Sequence, residues 1–311
     1  MPSPETSLRP AQQPAPEVPF DPRVMVGRKR RLVQAGSRLM PSLMARILAW
    51  RYVCSTVSLD RSKVDARSDV TYVPLTAAYG LLRSPAPNGA PQRRVLLLPG
   101  KDGDIRQMAR MARTLRHDGA EVDAMVLPGH LEKARTPCDF GTLTDAIGHA
   151  MDEGGPYDAV VAHCVSASPI PWLLAEGHSA PRVVMLSTPL DLRQLVYVGA
   201  KQFGITGACR DAFLYRVNRY GGRHDILRDW RPVVRERTEP LLLLHARTDH
   251  AAPIADVEEL ARTWPGARLQ VFETSDHNGI LNNACAIAEV AAFVRADEEA
   301  TVALRACSPK G

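Results

Sequence analysis

The 311-residue chain lacks most of the signatures that announce a cofactor or a metal. Neither GxxxxGK[ST] nor GxGxxG occurs, so the short Gly100-Lys101-Asp102-Gly103 turn is not a phosphate loop, and no nucleotide or other cofactor is expected. There is no HExxH, and His130, His163 and Cys164 lack the local spacing of a zinc motif, so no metal is expected either. The six cysteines, at positions 54, 138, 164, 209, 285 and 307, form no CxxC pair. They are too dilute for a disulfide framework, and a reducing cytoplasm is the expected location. No apolar run approaches the roughly 20 residues that span a bilayer. The opening MPSPETSLRPAQQPAPEVPF has no apolar core of a leader peptide, so neither a transmembrane nor a secreted product is expected.

The composition is that of a folding chain. Hydrophobic residues make up 45% and charged ones 23%, far from the balance that keeps chains disordered. The net charge of +5 is small, but it is unevenly placed. Residues 23–67 hold eleven Lys or Arg against Asp60 and Asp65, and residues 189–239 hold ten against six acids. The run Arg28-Lys29-Arg30-Arg31 is short and has no interleaved aromatics, which argues against a nucleic-acid partner.

Residues 1–22 carry seven prolines and read as a disordered arm. Residues 23–68 form a basic, partly amphipathic helical extension divided by Pro41. Its segment 23–50 suits either packing on the domain with solvated arginines or peripheral contact with a membrane surface. From residue 69 to 296 short apolar runs alternate with helix-length amphipathic segments. An initial antiparallel pair, DVTYVPL and AAYGLLRS, precedes six buried strands, which predicts an α/β fold with a mainly parallel central sheet and flanking helices. The alternation breaks at 189–239, where an inserted helical lid is expected. Residues 297–311 form a C-terminal tail.

Ligands of parallel sheets gather at the carboxyl ends of strands. One such end reads DAVVAHCVSASPIPWLL, strand then helix, with the small residues Ala162 and Ser166 two before and two after Cys164. This is the pattern of a nucleophile elbow, whose strained turn tolerates no bulk at the flanking positions. The helix that follows is expected to aim its amino end at the sulfur and favour the thiolate. Asp249 follows the strand LLLLHA and His277 follows LQVFETS, so nucleophile, acid and base are expected in the chain order Cys164, Asp249, His277. Asp191 is the runner-up acid. Gly100 leaves room for an oxyanion, held by the backbone N–H groups of Lys101 and Val165. Pocket candidates are Gly100, His130 and His163, with His163 expected to pack rather than react. His245 and Asp276 read as structural, and His250 stays open. The competing nucleophiles Ser166 and Ser168 are expected inside the helix.

On these residues, the stretch 69–296 resembles the α/β-hydrolase superfamily in its minority form with a cysteine nucleophile, as in dienelactone hydrolases and polyhydroxyalkanoate synthases. Asp249-His250 followed by Pro253, and Ser275-Asp276-His277 followed by Gly279-Ile280-Leu281-Asn282, are similar to the synthase segments around its acid and its histidine. The synthases' G-x-C-x-G is here Ala162, Cys164 and Ser166. The resemblance implies an acyl-Cys164 intermediate drawn from an acyl thioester on CoA or a carrier protein, released by transfer, cyclisation or hydrolysis. The alternatives are a lactone or ester hydrolase of the dienelactone type and a non-catalytic binding protein of the same fold.

Overall fold

The computed structural model describes residues 27–296 apart from 56, 88, 90 and 132–135; the Pro-rich arm and the C-terminal tail lie outside the described residues. Eight strands form one sheet: β1 (Thr71–Pro74), β2 (Gly80–Ser84), β3 (Arg93–Leu98), β4 (Ala120–Val126), β5 (Ala159–His163), β6 (Val183–Leu186), β7 (Leu241–Ala246) and β8 (Ala267–Phe272). The helices are α1 (Gly27–Leu39), α2 (Pro41–Val53), α3 (Arg61–Asp65), α4 (Ala109–His117), α5 (Phe140–Glu153), α6 (Ile170–Ala175), α7 (Leu192–Phe203), α8 (Gly207–Tyr220), α9 (Arg231–Val234), α10 (Ile254–Thr263) and α11 (Ala284–Arg295).

The sheet order is β1-β2-β4-β3-β5-β6-β7-β8. β1 and β2 pair antiparallel and β2 lies antiparallel to β4, while every pairing from β4 through β8 is parallel. Helices cover both faces of a parallel sheet, which is why its strands read as unbroken apolar runs rather than alternating ones. Leu241–Ala246 is buried at every position. One apolar layer gathers Leu96, Leu98, Val160, Ala162, Leu241 and Leu243 under α2, α5 and the insertion. The other gathers Val95, Leu97, Val161, Leu242 and Leu244 under α4 and α11.

The expected split at Pro41 is present, with proline at the first turn of α2, where the missing N–H is no loss. The insertion between β6 and β7 is helical and supplies α7, α8 and α9. α2 packs on α8, with the Tyr52 and Phe213 rings 5.5 Å apart, edge to face.

One local expectation is corrected. A continuous helix was expected after Cys164, but a 3₁₀ turn at Cys164–Ser166 comes first and α6 begins only at Ile170. Pro169 and Pro171 each lack the N–H that an unbroken ladder needs there. The tighter i→i+3 bonds from Ala167 to Cys164 (3.0 Å) and from Ile170 to Ala167 (3.2 Å) take its place. The helix-end support for a thiolate is therefore reduced to a single turn.

Candidate active site

Cys164 sits at the end of β5 with φ of +56°, a left-handed conformation that costs a non-glycine residue about 1–3 kcal/mol. The packing around it fixes that conformation. Ala162 and Ser166 are fully buried on either side. A Cβ on Gly100 would stand 3.0 Å from His163 Nδ1 and 3.1 Å from Cys164 Cβ, so any larger residue would crowd the turn and push its neighbours by a few tenths of an ångström.

His277 and Asp249 meet at this strand end. The imidazole Nδ1 donates to both Asp249 oxygens, at 2.9 and 2.8 Å. Asp249 Oδ1 also accepts from the N–H groups of Ala251 (2.8 Å) and Ala252 (2.9 Å), which fix its orientation. Cys164 and His277 line one cavity, and with Nδ1 committed to Asp249 the imidazole nitrogen left for the sulfur is Nε2. Burial alone would lift the Asp249 carboxyl, but the hydrogen bond and positive charge of His277 outweigh it and hold the acid down at about 2. Burial likewise opposes charge on His277. The negative charge of Cys164, joined by the Asp249 hydrogen bond, overcomes it and raises the imidazole to about 10.

His163 is the scaffold beneath. Burial pushes its imidazole down to about 3, so it is neutral, and its Nε2 donates to the His277 carbonyl at 2.9 Å. The backbone of the catalytic histidine candidate is thereby tied to the residue before Cys164. The expectation that His130 lines the pocket is corrected. It is buried behind the Lys101 turn, its Nε2 donates to the Lys101 carbonyl, and it does not reach the cavity. There it fixes the peptide after Lys101, while the Lys101 ammonium donates to the Tyr52 carbonyl at 2.7 Å. Among the described residues no protein acceptor takes the backbone N–H of Lys101 or Val165, and both residues line the cavity beside Cys164.

The alternatives named from the sequence are occupied elsewhere. Asp191 caps α7, accepting from the Gln194 N–H at 3.0 Å. Asp276 closes its own loop by accepting from the N–H groups of Asn278 and Gly279. His245 is buried and donates to the Ala252 carbonyl at 3.0 Å. Ser166 donates to the Pro99 carbonyl at 2.6 Å and Ser168 to the Pro189 carbonyl at 2.7 Å. Ser166→Ala should therefore lower stability by about 1–3 kcal/mol, because a buried carbonyl loses its donor, while leaving kcat within about threefold. Thermal unfolding and steady-state rates on the same preparation check both halves.

The cavity over Cys164 has a volume of about 140 Å³. His250, open on sequence grounds, lines it with its ring 5.6 Å from that of His277. Tyr52, Leu195, Val198 and Gln202 complete its roof and were not anticipated. The roof comes from α2 and the insertion, and nothing in the sequence near residue 52 marks a partner so distant in the chain. A Cβ on Gly199 would meet the Tyr52 ring at 2.4 Å, so this glycine is the one local sign of close approach. Among the described residues no group of three or more His, Cys, Asp or Glu side chains is arranged to hold a metal ion.

An elbow after β5 in a mainly parallel sheet, with an acid after β7 and a histidine after β8, specifies the architecture. The chain has the α/β-hydrolase fold. Residues 227–301, which hold both Asp249 and His277, match the α/β-hydrolase family described as TAP-like protein. No curated protein matches the sequence. Among solved structures, Est1E from Butyrivibrio proteoclasticus with ferulic acid bound is similar at a TM-score of 0.57 and 13% identity, over 72% of this chain and 96% of that one. An esterase from Pyrococcus furiosus aligns at 0.57 and 16%, over 78% and 97%. An esterase from Exiguobacterium antarcticum aligns at 0.55 and 13%, over 73% and 99%.

Proposed function

We propose that this α/β-hydrolase-fold chain is an acyl-transfer enzyme that works through an acyl-Cys164 intermediate, with His277 as acid and base and Asp249 as its orienting partner. The observation that carries the reading is the arrangement itself: a cysteine held at positive φ on a strand end, sharing its cavity with an imidazole whose Nδ1 is gripped by a buried carboxylate. The imidazole of His277, raised to about 10, stands protonated beside Cys164 before substrate arrives. The thiolate attacks the acyl carbon, and the N–H groups of Lys101 and Val165 take the oxyanion. Collapse breaks the bond to the leaving group, which accepts the His277 proton. The neutral imidazole then deprotonates water or another acceptor for attack on the thioester of Cys164, and the thiolate departs to pair again with His277.

A thioester donor on CoA or a carrier protein suits a thiolate, because exchange between thioesters keeps the acyl group activated. Arg193 and Lys201 are exposed on α7, the helix whose other residues roof the cavity, and are placed to meet an anionic donor. The rest of the insertion's positive charge is partly committed within the fold: Arg210 pairs with Asp211, Arg223 with Asp145, Arg231 with Glu259 and Arg237 with Glu239. The second reading is an oxygen-ester or lactone hydrolase, favoured by the esterases among the similar structures. A matched oxygen ester and thioester of one acyl group, compared by kcat/KM, separates the two.

Selective alkylation tests the reading before any substrate is known. Iodoacetamide near neutral pH should modify Cys164 about tenfold or more faster than the other cysteines, because the thiolate reacts and the thiol does not. Exposure alone would favour Cys285, and burial pushes the Cys138 thiol up to about 12. His277→Ala removes the cationic partner and should slow labelling at Cys164 only. Equal labelling of Cys164 and Cys285 would support the non-catalytic alternative.

A further inference from the structure

The hairpin of α1 and α2 exposes apolar surface that the fold does not use. Six of the eight exposed large hydrophobic side chains among the described residues lie between Leu32 and Trp50, with Leu32 72% and Leu39 79% exposed. At about 100° per residue, Leu43, Ile47 and Trp50 fall on one stripe of α2, opposite the stripe of Ala45, Leu48 and Ala49 that is buried against the domain. Arg46 and Arg51 flank the exposed stripe on its two sides. Residues 27–59 contain seven Lys or Arg and no Asp or Glu. No acidic side chain among the described residues pairs with Arg46 or Arg51. No helix of the described residues is long and apolar enough to cross a membrane.

We propose that the outer face of the α1–α2 hairpin docks on an anionic lipid bilayer, lying in its interface with Leu43, Ile47 and Trp50 immersed and the arginines at the headgroups. A helix with aliphatic and tryptophan side chains on one face and cations on its flanks has the chemistry of an interfacial element, and its positive charge complements acidic headgroups. That charge also selects among occupants. A second copy seated symmetrically on the same face would bring two acid-free basic surfaces together, where like charges repel. A bilayer satisfies the apolar stripe and the cations at once. The consequence reaches the Cys164 site, because α2 carries Tyr52 into the cavity roof and Lys101 is tied to the Tyr52 carbonyl. Docking on α2 therefore places the lipid one helix away from the reacting sulfur. The docking claim itself does not depend on the chemistry proposed for Cys164.

Flotation of the full chain with vesicles tests it. Binding to phosphatidylcholine vesicles containing about 30 mol% phosphatidylglycerol should exceed binding to phosphatidylcholine alone by about tenfold or more, and about 0.5 M salt should remove most of that preference. The double variant Ile47→Glu, Trp50→Glu should lose about tenfold in binding to the anionic vesicles, with Tm lowered only by the lost packing of Trp50 on the Tyr220 ring (5.9 Å), since both side chains are about half exposed. The double variant Arg46→Gln, Arg51→Gln, which changes no packing, should lose the anionic preference while keeping residual binding. Ile47→Ser with Trp50→Ser carries the same test should the glutamate pair fail to fold. Equal binding to both vesicle types, or unchanged binding by the glutamate pair, overturns the proposal. So does a dimer in light scattering that Trp50→Glu dissolves without any vesicle binding, which assigns the face to a second copy. Vesicle binding that appears only after removal of residues 1–26 overturns it in favour of the chain's own arm.

Discussion

Cys164→Ala should reduce turnover of an activated acyl substrate by about 10⁴-fold or more with the fold intact, because neither neighbouring serine is free to take the place of the thiol. Ser166 and Ser168 are the nearest hydroxyls in sequence, and both are spent on backbone carbonyls. Cys164→Ser should fall between alanine and the natural residue. It keeps a nucleophile at the positive-φ position, but a neutral hydroxyl replaces a thiolate and must lose its proton during attack. The order of rates cysteine, serine, alanine is the expected result of steady-state measurement on three variants with matching Tm. Equal rates for cysteine and alanine would move the chemistry off the elbow.

The second large effect concerns the partner relay. Asp249→Asn should cut kcat by about 10² to 10⁴-fold, since the amide cannot hold His277 in the tautomer that presents Nε2 to the sulfur. Asp191→Asn should do little, since an asparagine oxygen caps α7 about as well as the carboxylate does. The same relay makes a pH prediction. The folded-state pKa of His277 is raised to about 10, so the imidazolium and whatever stability it lends are fully present below the ordinary value near 6.5 and are lost only as pH rises through about 10. Nitrogen-15 chemical shifts should therefore show His277 protonated across pH 6 to 8, on the imidazolium side of that value. Cys164→Ala removes the largest influence that raises this pKa and leaves burial, which lowers it, so His277 should then lose its proton at a markedly lower pH. A titration that does not move on loss of Cys164 would show that the sulfur and the imidazole are not coupled.

The architecture, the turn at Cys164 and the meeting of Asp249 with His277 were legible because each rests on a local pattern. Six apolar runs too short for helices marked the strands, and small residues on both sides of Cys164 marked the elbow. An acid and a histidine each stood just after a strand, where a parallel sheet collects its reactive groups. The features that were not legible depend on contacts between distant segments. The apolar segment after Cys164 has helical spacing, but Pro169 and Pro171 delay the α-helix to Ile170. His130 ends a strand as a pocket residue should, but the Lys101 carbonyl lies closer to it than the cavity does. Tyr52 enters the roof only because α2 folds back on the insertion, and Asp191 resolves into a helix cap only once α7 is seen to begin beside it.

The central claim is a covalent bond, and mass spectrometry of the trapped enzyme tests it most directly. An acyl thioester and its matched oxygen ester, each mixed with the enzyme and quenched in acid at the steady state, should yield a protein heavier by one acyl group. Peptide mapping should place that group on Cys164, and hydroxylamine should remove it as expected for a thioester. Turnover with no adduct on Cys164, or with the acyl group on Ser166 or Ser168, would contradict the account.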